Sequence, residues 1–286
     1  MRLSLLIATY NWPEALAVVL HAVRAQDVLP DEVLIADDGS GPATQELVAR
    51  AQQNFPVPLH HVWHEDRGFR AGAIRNQAIA RATGDYVLQI DGDIVLHRAA
   101  VAAHRRFAQR GSFVQGSRAL LSESRTRELL QQGWADPGPF GAGVSHRLNA
   151  WYAPWLAPLS GGTRDTVERI RGCHIAFWRD DLLRVNGYDE AYEGWGREDS
   201  DLTLRLGHAG VVRRNLKFAA VAYHLWHRQN SRDALDRNSA RLTEAARTRR
   251  VRAELGIDQY LPVAAATAPV SPSAHVTPPH SALPEQ

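Results

Sequence analysis

Four short apolar runs, Leu3 to Thr9, Glu32 to Ala36, Leu59 to His64 and Tyr86 to Ile90, are each closed by polar or turn-forming residues. Their length and content predict strands. Between them, Pro13 to Ala25, Thr44 to Gln52 and Ala71 to Ala82 place Ala, Leu, Val and Ile at helical intervals. This alternation predicts an α/β chain: a Rossmann-like, mostly parallel central sheet flanked by helices and joined by right-handed crossovers.

From Ser117 to Arg171 the pattern is irregular, Gly- and Pro-rich over Gly133 to Gly143, with Trp151, Tyr152 and Trp155 close together. It reads as a long excursion covering a site. Order returns with a strand over His174 to Trp178, a helix over Glu198 to His208, and strands over Val211 to Arg214 and Phe218 to His224. Asp233 to Leu255 reads as an arginine-rich amphipathic helix. After Leu261 the chain turns to Pro, Ala, Ser and Thr, too little apolar area to offset chain entropy, so a disordered tail is expected.

Composition narrows the classes. At 286 residues and 44% hydrophobic, the chain can bury one large core or two intimately packed halves. The net charge is +2 and Lys217 is the sole lysine, so the basic character comes from arginines scattered among nearly as many acids. That gives no nucleic-acid footprint. Cys173 is alone, which excludes an intramolecular disulfide framework and a multi-cysteine zinc site, and fits a reducing compartment. The apolar start, Met1 to Ala8, soon meets Asn11, Trp12 and Pro13 and reads as a first strand rather than a leader. No stretch approaches the ~20 apolar residues of a membrane span. A soluble, cytoplasmic protein is expected.

In parallel α/β sheets ligands collect beyond the carboxyl ends of the strands. The residues there are Thr9-Tyr10-Asn11, Asp37-Asp38-Gly39-Ser40, His64-Glu65-Asp66-Arg67 and Asp91-Gly92-Asp93. Acids stand at three of the four rims. In Asp91-Gly92-Asp93, alternation and the compact Gly92 can aim two carboxylates into one pocket, where they would hold a divalent cation against a diphosphate. Acids after strands are also ordinary turn residues. His224 and His227, at the end of another predicted strand, can bring two imidazoles to the same ion, and mixed nitrogen and oxygen ligation favours manganese over magnesium.

The segment Gly194-Trp195-Gly196-Arg197-Glu198-Asp199 lets an indole project from a tight turn, and an aromatic face stacks on the apolar face of a sugar. The carboxylates Glu198 and Asp199 open a helix. Acids are favoured in a first turn by the helix dipole, yet one beside such a tryptophan is also suited to act as general base on an acceptor hydroxyl. A carboxylate of Asp37-Asp38 can accept from a base or ribose, or simply close a turn. Arg67-Gly68-Phe69-Arg70, with Arg75 and Asn76 one turn on, offers guanidinium groups to phosphate or to neighbouring acids.

Together these residues resemble family 2 glycosyltransferases of the GT-A fold. The landmarks are Thr9-Tyr10-Asn11, Asp37-Asp38-Gly39-Ser40, Arg67-Gly68-Phe69-Arg70 with Arg75-Asn76, and Asp91-Gly92-Asp93. From Arg171-Gly172 through Asn186-Gly187-Tyr188-Asp189 to Glu198-Asp199, the chain also resembles the carboxyl-terminal portion of β-1,4-galactosyltransferases and bacterial chondroitin-type polymerases. The likeness spans about residues 1 to 230.

It implies a nucleotide-sugar-binding half at 1–116, an acceptor-binding and catalytic half at 117–230, a carboxyl-terminal helix at 231–260 and a tail at 261–286. The nucleotide sugar would meet Thr9, Tyr10, Asn11, Asp38, Phe69, Arg70, Arg75, Asn76, Asp91 and Gly92, with Asp38 on uracil or ribose. Asp93, His224 and His227 would hold Mn2+ or Mg2+, although those galactosyltransferases have methionine where His224 stands. Gly172, Trp195 and Gly196 would meet the acceptor, Asp199 would be the catalytic base, and Glu198 would sit beside it. The implied reaction inverts the anomeric carbon and moves a hexose or N-acetylhexosamine from a UDP-sugar to a glycan, glycoconjugate or lipid-linked glycan, in bacterial cell-surface polysaccharide or lipopolysaccharide synthesis.

Two other classes compete. A sugar-phosphate nucleotidylyltransferase needs a glycine-rich basic loop after the first strand, where this chain has Thr9-Tyr10-Asn11-Trp12-Pro13. A non-catalytic glycan-binding module would not need Asp93, Asp199 and His227 together. Peripheral contact with the inner face of a membrane stays open, because Trp151 to Leu156 and the arginines of the last helix could meet an anionic bilayer. Those aromatics could equally close the acceptor cleft.

Overall fold

The computed structural model describes residues 1–133, 136–160, 163–164, 170–228 and 231–262. The first half alternates as the apolar runs require: β1 (Leu3–Thr9), α1 (Pro13–Arg24), β2 (Glu32–Asp37), α2 (Pro42–Asn54), β3 (Leu59–Trp63), α3 (Ala71–Arg81) and β4 (Tyr86–Asp91). β1, β2 and β4 are buried along almost their whole length, which explains apolar runs without an exposed alternate face. Proline opens α1 and α2, where the missing N–H costs no helical bond.

The second half adds β5 (Ile94–Leu96), α4 (Ala100–Phe107), β6 (Ser112–Gly116), β7 (Ala119–Leu121), α5 (Glu123–Gln132), β8 (Val144–Ser145), α6 (Ala157–Ser160) and β9 (Thr163–Arg164). β10 (His174–Trp178), α7 (Arg179–Arg184), α8 (Glu198–His208), β11 (Val212–Leu216), β12 (Ala222–His224) and α9 (Leu235–Arg247) complete it. The large sheet runs β3-β2-β1-β4-β10-β6-β11-β9 and a small one β5-β12-β7-β8. β3, β2, β1 and β4 are mutually parallel, whereas β10 runs antiparallel to β4 and β6. The two halves therefore share one sheet.

Strand alternation divides the core into two layers. Leu3, Leu5 and Ile7 pack with α1 on one face, and Leu6, Leu34 and Val87 pack with α3 and α8 on the other. The first layer continues through Ile94, Val95 and Tyr223 into the small sheet, so one core carries both sheet rims.

Three expectations need correction. Only Ala222–His224 of the expected strand over Phe218 to His224 is extended, because Phe218 takes a left-handed turn at φ 67. The last helix stops at Arg247 instead of Leu255, with Arg249 at φ 50 just beyond it. The segment expected to be irregular contains α5, begun by Ser122, whose side chain accepts from the Arg125 N–H. The expected disordered tail lies outside the described residues from position 263 onward.

Candidate active site

The carboxyl ends of β1, β2, β4 and β12 meet the amino end of α8. Asp91 ends β4, and the hydrogen bond from Gly92 N–H to the Ala8 carbonyl presses the next peptide against β1. Asp91 and Asp93 then take separate partners instead of lining one pocket side by side. Asp91 accepts from Arg75 at 2.9 Å. Asp93 Oδ2 lies 3.3 Å from His227 Nε2 and 3.7 Å from His224 Nε2.

Asp93, His224 and His227 each offer one ligand atom, all within 4.8 Å of one another. Asp93 Oδ1 is buried and has no hydrogen-bond partner. Burial, and then the charge of Asp91, push the Asp93 carboxyl up to about 8. Burial and the nearby Arg118 hold His224 well below its ordinary value, at about 3, so its ring is neutral as ligation demands. A carboxylate with one oxygen against two imidazoles and the other left without a partner fits a divalent cation with mixed ligation.

Beside this group is a second one centred on Arg75, which α3 presents from a buried position, 5% exposed. Its Nη2 bonds Asp91, and its Nη1 lies 3.4 Å from Asp199 and 3.8 Å from Glu198. Burial opposes the Arg75 charge, yet Asp199, Tyr188, Asp91 and Glu198 together hold its pKa well above the ordinary value. Burial raises the Asp199 carboxyl, against the pull of Arg75 and with the push of Asp91. Glu198 is pushed up to about 7 by burial and then by Asp199. Since Asp91 acts on both Asp93 and Asp199, it stands electrostatically between the two groups.

Gly172 is required by this geometry: a Cβ there would collide with the Asp199 carboxylate. Trp195 projects from a turn whose flanking Gly194 and Gly196 have φ 76 and 107, with the Arg232 guanidinium 5.8 Å from its ring centre. The Gly194 N–H donates to the Phe69 carbonyl, and buried Asn238 of α9 donates to the Gly196 carbonyl. The tryptophan turn is thus tied both to the 64–70 loop and to α9. Glu198, the first residue of α8, accepts from the Gly196 N–H and so fixes the tryptophan turn to the helix start.

The expected nucleotide contacts divide. Tyr10 and Phe69 are exposed, and Asn11, at φ 46, bonds Ser40 and Gly41. Thr9 is buried beside Gly92. Asp38 is nearly buried: Oδ1 meets His64 at 2.7 Å and Oδ2 accepts from the Arg70 N–H, which makes it a tether for the 64–70 loop. The Arg70 side chain donates to the Glu65 carbonyl. Asn76 is fully buried and clamps the Tyr188 backbone from both sides while also donating to Glu190, so both its amide hydrogens are spent inside the protein. Arg75 likewise faces acids, the second of the two options its sequence allowed.

Tyr188 is the contributor that sequence reasoning passed over. Its buried hydroxyl lies 3.1 Å from Asp199 Oδ1 and 3.0 Å from Gln89 Oε1. The Asn186-Gly187-Tyr188-Asp189 landmark contained it, but no spacing argument assigned it a role.

This architecture, with carboxylates and histidines gathered at the strand ends, is that of a GT-A glycosyltransferase. The family model described as "Glycosyl transferase family 2" matches residues 4–174, and one described as "N-terminal domain of galactosyltransferase" matches residues 160–228. The chain belongs to glycosyl transferase family 2.

Chondroitin synthase of Escherichia coli is 26% identical over 238 residues, covering 78% of this chain and 34% of that protein. Validoxylamine A glucosyltransferase of Streptomyces hygroscopicus subsp. limoneus is 26% identical over 223 residues, 73% of this chain and 48% of its own length. The chain thus spans between a third and a half of these two curated relatives. The uncharacterized glycosyltransferase YfnE of Bacillus subtilis is 33% identical, with 82% and 68% covered.

Among solved structures, S. aureus TarS 1-349 in complex with UDP-GlcNAc aligns with TM-score 0.58 at 17% identity, over 91% of this chain and 70% of that one. The mannosyltransferase PcManGT from Pyrobaculum calidifontis, in complex with GDP-Man and Mn2+, gives 0.57 at 20% identity, over 93% and 73%. Both likenesses concern the fold. No helix among the described residues is long and apolar enough to cross a membrane.

Proposed function

We propose that this glycosyltransferase is metal-dependent and inverting, and moves a hexose or N-acetylhexosamine from a UDP-sugar to a hydroxyl of a glycan, glycoconjugate or lipid-linked glycan in bacterial surface polysaccharide or lipopolysaccharide synthesis. The observation that carries the reading is the placement of Asp91 between the Asp93-His224-His227 cluster and the Arg75-Asp199-Glu198 cluster. Chondroitin synthase among the relatives and UDP-GlcNAc in TarS support the polysaccharide and uridine parts of it.

Asp93, His224 and His227 would hold Mn2+ or Mg2+. A cation bound there neutralises the diphosphate and stabilises it as a leaving group. Trp195 stacks on sugar, as exposed indoles do. Asp199 takes the acceptor hydroxyl proton while the oxygen bonds the anomeric carbon and the carbon–oxygen bond to the nucleoside diphosphate breaks, its electron pair leaving with the diphosphate. Arg75, Tyr188 and the Gly172 N–H keep Asp199 oriented and ionised against the burial that raises it.

The test is a panel of UDP-, GDP- and dTDP-sugars assayed for nucleoside diphosphate release on a glycan extract, with and without EDTA. A UDP-sugar should turn over, stop with EDTA and recover with Mn2+. Turnover undiminished by EDTA would remove the metal. Release of pyrophosphate would make the protein a nucleotidylyltransferase, and glycan binding without release would make it a module.

A further inference from the structure

The segment 140–160 has surface chemistry unlike the rest of the chain. Phe140, Leu148, Trp151, Tyr152, Trp155 and Leu159 are exposed by 74, 62, 42, 44, 74 and 84%. They are six of the 15 exposed large apolar side chains among the described residues, although the segment is a small part of the chain. Isolated exposed leucines need no explanation, but a cluster of this kind marks an interaction surface. Part of it is shown to be contiguous: Trp151, Tyr152, Trp155 and Leu156 line one cavity of about 480 Å³ with Pro139 and Tyr223.

Charge selects the partner. Residues 140–160 contain no Asp or Glu, but do contain His146 and an exposed Arg147. Lys217 precedes Phe218, whose carbonyl accepts from the Ala153 N–H, and Arg214 lines an adjoining cavity with Ala157 and Pro158. Asp136, the carboxylate among the cavity's lining residues, is exposed but partnered, 3.7 Å from His97 and hydrogen-bonded to Tyr223. Tryptophan and tyrosine with leucine and phenylalanine, bordered by cations and by one acid that is itself partnered, match the headgroup–acyl boundary of an anionic bilayer. A soluble glycan would be served by the aromatic faces but not by Phe140, Leu148 and Leu159.

We propose that the 140–160 surface docks the enzyme onto an anionic lipid bilayer, with Trp155 and Leu159 entering the interface and Arg147, Arg214 and Lys217 facing the headgroups. Tyr223 and His224 are consecutive in β12 and point to opposite sides, one into the aromatic cavity and one into the candidate metal cluster. The docked face therefore lies one strand's thickness behind that cluster.

Flotation of the full chain with phosphatidylcholine vesicles, with and without phosphatidylglycerol, tests this without any assay of transfer. Binding should require phosphatidylglycerol and weaken with salt. Trp155→Ser with Leu159→Ser should lower partitioning about a hundredfold or more, from the apolar area withdrawn, at an unchanged melting temperature. Arg241→Glu on α9 should leave it unchanged. Equal flotation of the double variant, or loss with the α9 change alone, would overturn the proposal. So would a wild-type dimer in sedimentation that the double variant dissolves, because the surface would then belong to a second copy. Since no outcome depends on turnover, failure here leaves the glycosyltransfer reading intact.

Discussion

Replacing Arg75 by methionine should destabilise the protein by an amount that depends steeply on pH. The guanidinium is the shared cation of Asp91, Asp199 and Glu198, at 2.9, 3.4 and 3.8 Å. Removing one member of a buried ion pair costs about 3–5 kcal/mol, a large share of the ~5–15 kcal/mol that stabilises an ordinary domain. The acids left behind can escape by binding protons, which raises their folded pKa above the unfolded ~4. The folded state then binds more protons than the unfolded one, so stability falls as pH rises from ~4 through the raised folded value. Glu198 is already pushed up to about 7 with Arg75 present, so below neutral pH it costs wild type and variant alike and adds little to their difference. An acid newly raised by about three units on loss of the guanidinium would add, at ~1.4 kcal/mol per unit, about 1 kcal/mol at pH 5 and about 4 kcal/mol at pH 7.5. Urea unfolding of wild type, Arg75→Met and Arg75→Lys at both pH values measures this, the lysine variant losing less because it keeps a charge. A loss equal at the two pH values, or none, would refute the electrostatic account of the cluster.

Asp199→Asn should keep UDP binding and lose about 10²–10⁴-fold in transfer, read by calorimetry beside a release assay; undiminished turnover would remove Asp199 as base. Asp93→Ala should weaken Mn2+ binding about a hundredfold by isothermal titration, and wild-type affinity should fall as pH drops below 8, where the Asp93 carboxyl takes a proton. Cys173 is buried and its thiol is pushed up to about 12, chiefly by burial, so a thiol reagent should modify it only after unfolding. Rapid labelling of the native protein would contradict its placement beneath Asp91.

The first four strands were legible because both faces are covered, leaving uninterrupted apolar runs. β6 and α4 were not, since Ala100–Phe107 carries His104, Arg105 and Arg106 in its last turn and has no capping side chain. His104 is in fact wholly buried against His174, with burial holding both rings neutral, and nothing in the sequence announces that pair. At the site, Asp93, His224 and His227 were legible as residues beyond strand ends, but they meet by a different route: β12 lies in the small sheet, antiparallel to β5, and that pairing brings His224 to the turn that holds Asp93. The division of labour inside Asp91-Gly92-Asp93 did not follow. It depends on Arg75 reaching Asp91 from a helix and on Tyr188 reaching Asp199 from a loop, and pattern alone does not place either. Asn76 and Asp38 show the same limit, their polar groups being used to hold loops before any ligand arrives.

The parity of β12 constrains how relatives of this chain can diverge. Losing or gaining one residue there would exchange the environments of Tyr223 and His224, so that strand can change composition but not length. β7 shares that constraint, being paired in register with β12, whereas residues 146–160 beyond β8 are free of it and can lengthen or shorten while the reacting groups keep their places.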